Sequence, residues 1–111
     1  MTLPSGLQYR VVEAGTGQGG RVALSTPCSC NYRGTLIDGT EFDSSYKRGK
    51  PATFAPKQVI PGWTEALCKM REGAKWELFV PAELGYGGRG SGNKIGPGAV
   101  LIFSLEILRI N

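Results

Sequence analysis

The chain has 111 residues, of which 41% are hydrophobic and 20% charged, a composition typical of one globular domain. No apolar stretch approaches the ~20 residues that a membrane-spanning helix needs, so we expect no membrane insertion. The net charge of +4 comes from 13 basic and 9 acidic residues spread along the chain; because nucleic-acid binding needs basic residues clustered on one face, we expect no nucleic-acid partner.

The first half of the chain predicts short strands separated by turns. Residues 7–12 and 28–36 alternate between apolar and polar side chains, which is typical of half-buried strands. The glycine-rich residues 15–20 between them predict a loop. An Asp-Gly pair at 38–39 is a hairpin turn signal, and it precedes a short predicted strand at 40–43.

One helix is predicted in the middle of the chain, after a brief extended segment at 53–54. Pro61 suits the first turn of a helix, and Gly73 is a typical residue just past a helix end. Four apolar residues between them fall at i, i+3, i+4 and i+7 and therefore share one helical face: Trp63, Ala66, Leu67 and Met70. We expect a short helix whose apolar face covers a sheet.

The second half of the chain predicts two strands on either side of a long loop. Residues 75–80 and 100–107 show the alternation of β-strands. Residues 85–98 contain seven glycines, and we interpret this long loop as a binding-site flap. Because no crossover helices separate the strands, we predict an α+β fold in which five to six antiparallel strands wrap around one short helix, within a single domain at 1–111.

The cysteine and histidine counts limit the chemistry. The chain has three cysteines, Cys28, Cys30 and Cys68, and no histidine. An odd number of thiols argues against a disulfide framework, and a tetrahedral zinc site needs four ligands. Ser-His-Asp and Cys-His nucleophiles both need an imidazole. We therefore expect buried, unreactive thiols, no metal, no cofactor and no covalent step.

Residues 85–90 match the pattern GxGxxG, which in dinucleotide-binding proteins follows a strand and opens a helix. Here Pro81 and its neighbours precede the glycines and more glycine follows, so we exclude a dinucleotide site. An RGG-type nucleic-acid segment would need more arginine than Arg89 alone supplies.

Aromatic residues are scattered through the predicted elements, and several adjoin glycine or proline turns, where side chains can line a concave pocket. They include Tyr9, Tyr32, Phe42, Phe54, Trp63, Tyr86 and Phe103. Taken singly, each ring is better explained by core packing than by a site. Asp43, directly after Phe42, either forms a local turn or is a buried carboxylate with Arg48 or Tyr86 as partner.

Several segments together resemble the FKBP family of immunophilins, and nearly the whole chain is covered in order. They are Tyr32-Arg33-Gly34, residues 38–45, residues 59–63, Gly85-Tyr86-Gly87 and residues 101–106. Residues 3–7 and 60–67 are most similar to the Mip-like (macrophage infectivity potentiator) branch. The resemblance implies an FKBP-like half-sandwich, which agrees with the fold predicted above.

The resemblance also implies a substrate pocket. Trp63 would form its floor beneath a proline ring, and the flap would contribute Tyr86 and Ile95. Asp43 would meet the substrate backbone, while the Tyr86 hydroxyl and the Ile60 backbone N–H would donate to substrate carbonyls. The remaining implied substrate-binding residues are Tyr32, Phe42, Arg48, Phe54, Val59 and Phe103.

The implied activity is peptidyl-prolyl cis-trans isomerisation of protein substrates, which assists folding. The alternative is a catalytically weak module that binds proline-containing peptides or macrolides such as tacrolimus or rapamycin. Family members commonly have an aromatic residue where this chain has Ala52, which puts macrolide affinity in question. As the sequence stands we expect a cytoplasmic monomer, or a secreted or periplasmic domain if it is excised from a longer Mip-like precursor.

Overall fold

The computed structural model describes residues 1–16, 22–91 and 95–110. Within these residues, six strands and two short helices follow one another along the chain. They are β1 (Gln8–Glu13), β2 (Cys28–Leu36), β3 (Glu41–Ser44), α1 (Ser45–Arg48), β4 (Ala52–Phe54), α2 (Pro61–Leu67), β5 (Lys75–Val80) and β6 (Leu101–Ile110).

The six strands form one antiparallel sheet in the order β1-β5-β6-β2-β3, and β4 pairs with the first residues of β2. The sheet is built around β6, which pairs with β5 on one side and with β2 on the other. The predicted α+β fold with one main helix is therefore confirmed. Of the described residues, no helix is long and apolar enough to cross a membrane.

The core lies between α2 and the inner face of the central strands. Alternate residues of β5 and β6 point inward, so that Leu78, Leu105 and Ile107 are fully buried. The helix contributes the predicted apolar face, with Trp63, Ala66, Leu67 and Met70 all buried. The alternation in β2, β5 and β6 predicts this inward face correctly because each of these strands has neighbours on both sides and the helix over one face.

The edge strand β1 differs from its prediction as a half-buried strand. Leu7 is fully buried and Tyr9 stacks on Trp76 with ring centroids 4.2 Å apart. Val11 and Val12, however, are 45% and 47% exposed. The strand pairs with β5 on one side only, so among the described residues no strand covers its other side.

The helix α2 ends at Leu67, before the predicted stop at Gly73. The Cys68 and Lys69 amides still bond back to the helix, and the chain then turns so that the Gly73 amide donates to the Ile107 carbonyl at 2.8 Å. Gly73 adopts a φ of 81°, but it does so in this second turn. The chain after Leu67 therefore continues in turns and is joined to β6 at Gly73.

The short helix α1 was not predicted. The Ser44 side chain accepts from the Lys47 amide at its start, and Gly49, with a φ of 75°, follows its end. A serine at the start and a glycine just past the end are the sequence signals for this short helix. Of the two predicted loops, the described parts are irregular; residues 17–20 of the first and 92–94 of the second lie outside the described residues.

The thiols of β2 are buried as predicted. Burial raises the pKa of Cys30 to about 12, and burial followed by the nearby Cys68 raises the pKa of Cys28. Both are therefore protonated at neutral pH and unreactive. Cys68, at the end of α2, is only partly buried, and all three thiols are free.

Two leucines of β6 form a matched pair that tests this core. Leu105 is fully buried and Leu108 is 40% exposed. Replacing Leu105 with alanine should lower the free energy of unfolding by about 2–5 kcal/mol because it opens a cavity, whereas Leu108→Ala should change it by less than about 1 kcal/mol. Urea unfolding of both variants measures the difference; equal losses would contradict the burial described here.

Candidate active site

A cavity of about 380 Å³ lies between the start of α2 and the strands β2, β3, β4 and β6. Ten residues line it: Tyr32, Phe42, Asp43, Phe54, Gln58, Val59, Ile60, Trp63, Tyr86 and Phe103. Nine of the eleven residues predicted for the site are among them. The structure thus brings together side chains that lie up to 71 positions apart in the sequence (Tyr32 to Phe103).

The Trp63 indole, only 4% exposed, holds three of the surrounding rings together. It meets Tyr32, Phe54 and Phe103 edge to face, with centroid distances of 5.0, 5.6 and 5.1 Å and interplanar angles of 80–86°. Such pairs each contribute about 0.5–1.5 kcal/mol beyond burial. The base of the cavity is therefore a rigid aromatic cluster.

Local backbone features place these rings. Pro61 starts α2, which sets Trp63 in its first turn. The Thr64 hydroxyl donates to the Pro56 carbonyl at 2.6 Å and so ties the Val59 and Ile60 segment to the helix. The segment before α2 is therefore held in one conformation at the cavity wall.

Gly34 on β2 allows two rings to approach the sheet closely. Phe42 and Phe103 meet edge to face at 5.5 Å over this residue. A Cβ at position 34 would lie 2.6 Å from Phe42 Cζ and 2.8 Å from Phe103 Cε1. Any residue larger than glycine would therefore displace this wall.

Asp43 belongs to a hydrogen-bonded network at one side of the cavity. Its Oδ2 accepts from the Tyr32 hydroxyl at 2.6 Å, and its Oδ1 accepts from Arg48 Nη1 at 2.6 Å and from the Ser44 amide at 2.9 Å. Arg48 Nη2 also donates to the Tyr32 hydroxyl at 2.6 Å. Of the two partners expected for Asp43, Arg48 is present, but Tyr32 takes the place of Tyr86.

The network fixes the charge of Asp43. Partial burial is the largest single effect and raises the pKa of this carboxyl group, but the hydrogen bonds from Tyr32 and Arg48 and the charge of Arg48 together outweigh it. The pKa of Asp43 therefore lies below its ordinary value, and the group is ionised at neutral pH. Burial, followed by the hydrogen bond to Asp43, raises the pKa of Tyr32, so its hydroxyl stays protonated.

Three donors at the cavity have no acceptor among the described residues. They are the Tyr86 hydroxyl, the Ile60 backbone N–H and Trp63 Nε1, the last of which is fully buried. Tyr86 is 40% exposed. The Tyr32 hydroxyl is fully engaged by the Asp43 network, so Tyr86 supplies the free phenolic donor.

Two predicted residues do not line the cavity. Ile95 is 7% exposed and belongs to the core cluster, and its amide exchanges hydrogen bonds with Ser91. Arg48 lies behind Asp43 and Tyr32. Gln58 lines the cavity without having been predicted: it immediately precedes the recognised segment 59–63, and a lone exposed glutamine gives no pattern signal.

Comparison with known proteins agrees with this geometry. A family model described as FKBP-type peptidyl-prolyl cis-trans isomerase matches residues 19–108. The chain is 54% identical over 110 residues to the outer membrane protein MIP of Legionella longbeachae, covering 99% of this chain and 46% of that protein. It is 51% identical over 109 residues to the peptidyl-prolyl cis-trans isomerase Mip of Coxiella burnetii, covering 98% and 46%.

The crystal structure of FkpA from Escherichia coli matches with a TM-score of 0.93 at 46% identity, covering all of this chain and 51% of that chain. The chain therefore belongs to the FKBP-type peptidyl-prolyl cis-trans isomerase family. Within the family it is similar to the Mip proteins. It spans about half the length of the curated relatives it matches.

The Asp43 network predicts a specific pH dependence of stability. Because the pKa of Asp43 is lower in the folded chain than its ordinary value of 3.8, its charge stabilises the fold above that value, and the effect is lost as the pH falls through the folded pKa. Asp43→Asn should therefore lower the melting temperature at pH 7 and differ less from the parent near about pH 2. A difference that is the same at both pH values would contradict a charge-based contribution.

Proposed function

We propose that this chain catalyses cis-trans isomerisation of X-Pro peptide bonds in proline-containing polypeptides. The observation that carries the proposal is the cavity itself, an aromatic concavity with a buried indole at its base and unpaired donors at its wall. A pyrrolidine ring is small and apolar, and it suits such a site. Membership of the isomerase family supports the same conclusion.

The reaction sets a clear energetic demand. Rotation about an X-Pro bond has a barrier of about 18–20 kcal/mol because it destroys amide resonance. Uncatalysed exchange takes about 10–100 s at 25 °C. Acceleration by four orders of magnitude, to the millisecond range, requires about 5.5 kcal/mol of selective transition-state stabilisation.

The aromatic walls can supply part of this transition-state stabilisation. A planar amide is strongly dipolar and well hydrated, whereas the twisted amide has less charge separation. The rings around Trp63 offer few hydrogen-bonding groups to a planar amide. They therefore disfavour the planar ground state relative to the twisted state. No bond is broken and no proton is transferred, which is consistent with a chain that has no histidine.

The polar groups at the wall would position the substrate. The Tyr86 hydroxyl and the Ile60 N–H have no acceptor in the described chain, so each can donate to a substrate carbonyl beside the turning bond. Asp43 is unsuited to general-base catalysis because both of its oxygens accept hydrogen bonds and its pKa is low. Its role in the proposal is to fix Tyr32 and to shape the local field.

The proposal extends to the domain, its ligands and its location. Residues 1–111 would act as one monomeric isomerase domain, and macrolides such as tacrolimus or rapamycin would compete for the same cavity. Ala52 lies two residues before Phe54 on β4 and is not among the lining residues. Competition between a macrolide and a proline peptide measures how its small side chain affects macrolide affinity. The outer-membrane name of the Legionella longbeachae relative supports an exported location.

A protease-coupled assay with a Leu-Pro peptide tests the function. The parent chain should accelerate isomerisation, and Tyr86→Phe should lower kcat/KM by about three- to tenfold, the equivalent of one hydrogen bond. Asp43→Ala should also lower it, because Tyr32 and Arg48 lose their shared partner. Tyr46→Phe, which alters a 48% exposed tyrosine away from the cavity, should leave the rate unchanged.

The outcomes separate the two candidate functions. Tight binding of a proline peptide without acceleration would favour the binding module over the enzyme. Full activity in both Tyr86→Phe and Asp43→Ala would remove the roles assigned to those residues while leaving the cavity as the site.

A further inference from the structure

Gln58 is a polar side chain on an otherwise mostly aromatic and aliphatic wall. It is exposed and lines the cavity beside Val59 and Ile60. Its side-chain oxygen, Oε1, accepts a hydrogen bond from the Ala55 backbone N–H at 2.8 Å. That donor settles which way the amide group points, because only the oxygen can accept from it.

The same bond leaves the other half of the amide free. Gln58 Nε2 carries two N–H donors, and neither has an acceptor among the described residues. A free glutamine loses considerable rotamer entropy when it binds a ligand, but this one is already held at its oxygen. The exposed edge of the cavity at Gln58, called the rim below, therefore has a preorganised hydrogen-bond donor.

The stretch of sequence that contains Gln58 carries only positive charges between Asp43 and Glu65. Residues 44–64 contain Lys47, Arg48, Lys50 and Lys57 and no aspartate or glutamate. Lys47 pairs with Glu41, and Arg48 pairs with Asp43. Neither Lys50 nor Lys57, the immediate neighbour of Gln58, has a carboxylate partner within the described ranges. Asp43, the one acidic residue among those lining the cavity, is paired with Arg48, so the charge of Lys57 beside Gln58 favours an anionic group there.

We propose that Gln58 determines substrate specificity by donating a hydrogen bond from Nε2 to an acidic side chain flanking the target proline. This inference rests on the proposed function and adds to it a substrate class, acidic X-Pro or Pro-X sequences. Lys57, the neighbour of Gln58 in the chain, adds electrostatic attraction for the same carboxylate. Hydrogen bonds to charged acceptors are stronger than neutral ones, so a single donor can produce measurable discrimination.

Gln58→Glu tests the inference with almost no change of shape. One carboxylate oxygen still accepts from the Ala55 N–H, while the donor group becomes a second, negatively charged acceptor. For the parent, kcat/KM should be about fivefold higher for a Glu-flanked than for a Lys-flanked peptide, and Gln58→Glu should lower that ratio at least about tenfold. A Leu-Pro peptide, which has no polar flanking side chain for Nε2 to bind, is measured with the same variants and reports any general change in rate at this cavity-lining position.

Gln8→Glu is the matched control. It makes the same chemical change at an exposed position of the edge strand β1 and alters the net charge equally. It should leave the ratio at the parental value. Peptides varied before and after the proline are both measured, and an effect at either position supports the proposal.

Equilibrium binding of the same peptides, followed by amide chemical shifts, separates this inference from the function. If no peptide is turned over but the Glu-flanked peptide binds more tightly and Gln58→Glu reverses the order, catalysis fails and the specificity stands. An unchanged ratio in Gln58→Glu, an equal shift in Gln8→Glu, or the absence of any peptide binding would overturn the inference.

Discussion

Trp63 reaches from the first turn of α2 to rings on three strands, and its edge-to-face contacts with Tyr32, Phe54 and Phe103 couple the site to the fold. The same helix face continues into Ala66 and Leu67, which are fully buried against the sheet. The floor of the cavity is therefore the outer layer of the hydrophobic core. Its shape depends on the packing that stabilises the domain, so the pocket exists before any substrate arrives.

The fold could be predicted from sequence where the environment of a strand is uniform. β5 and β6 have neighbours on both sides and a covered face, so their buried and accessible residues alternate without interruption. The pattern predicts burial less well at the edge of the sheet, where Val11 of β1 is 45% exposed. Gly73 predicts the helix end, but α2 ends at Leu67 and the Gly73 amide instead donates to the Ile107 carbonyl of β6. Alternation reports local burial and cannot report such long-range contacts.

The site could be predicted as a set of residues more readily than as a set of contacts. Rings beside glycine and proline turns indicated a pocket, and the family resemblance supplied the individual positions. Neither could tell which tyrosine meets Asp43, because Tyr32 and Tyr86 are equally polar and only the fold decides which one reaches the carboxylate. Gln58 was not predicted for a related reason: its orientation is set by the hydrogen bond that Oε1 accepts from the Ala55 N–H, and such a bond does not affect hydrophobic periodicity.

The arrangement separates the demands of the reaction from those of recognition. Twisting an amide requires an apolar concavity and fixed donors, and the packed rings and the neutralised Asp43–Arg48 pair restrict those residues tightly. Gln58 is less restricted, because its only hydrogen bond among the described residues is the one that Oε1 accepts from the Ala55 N–H, and in the proposed function Nε2 meets a residue that flanks the proline. Charge and hydrogen-bonding groups at the rim can therefore differ between chains while the chemistry at the indole stays the same, and positions such as Gln58 and Lys57 are where selectivity can be adjusted without loss of the cavity.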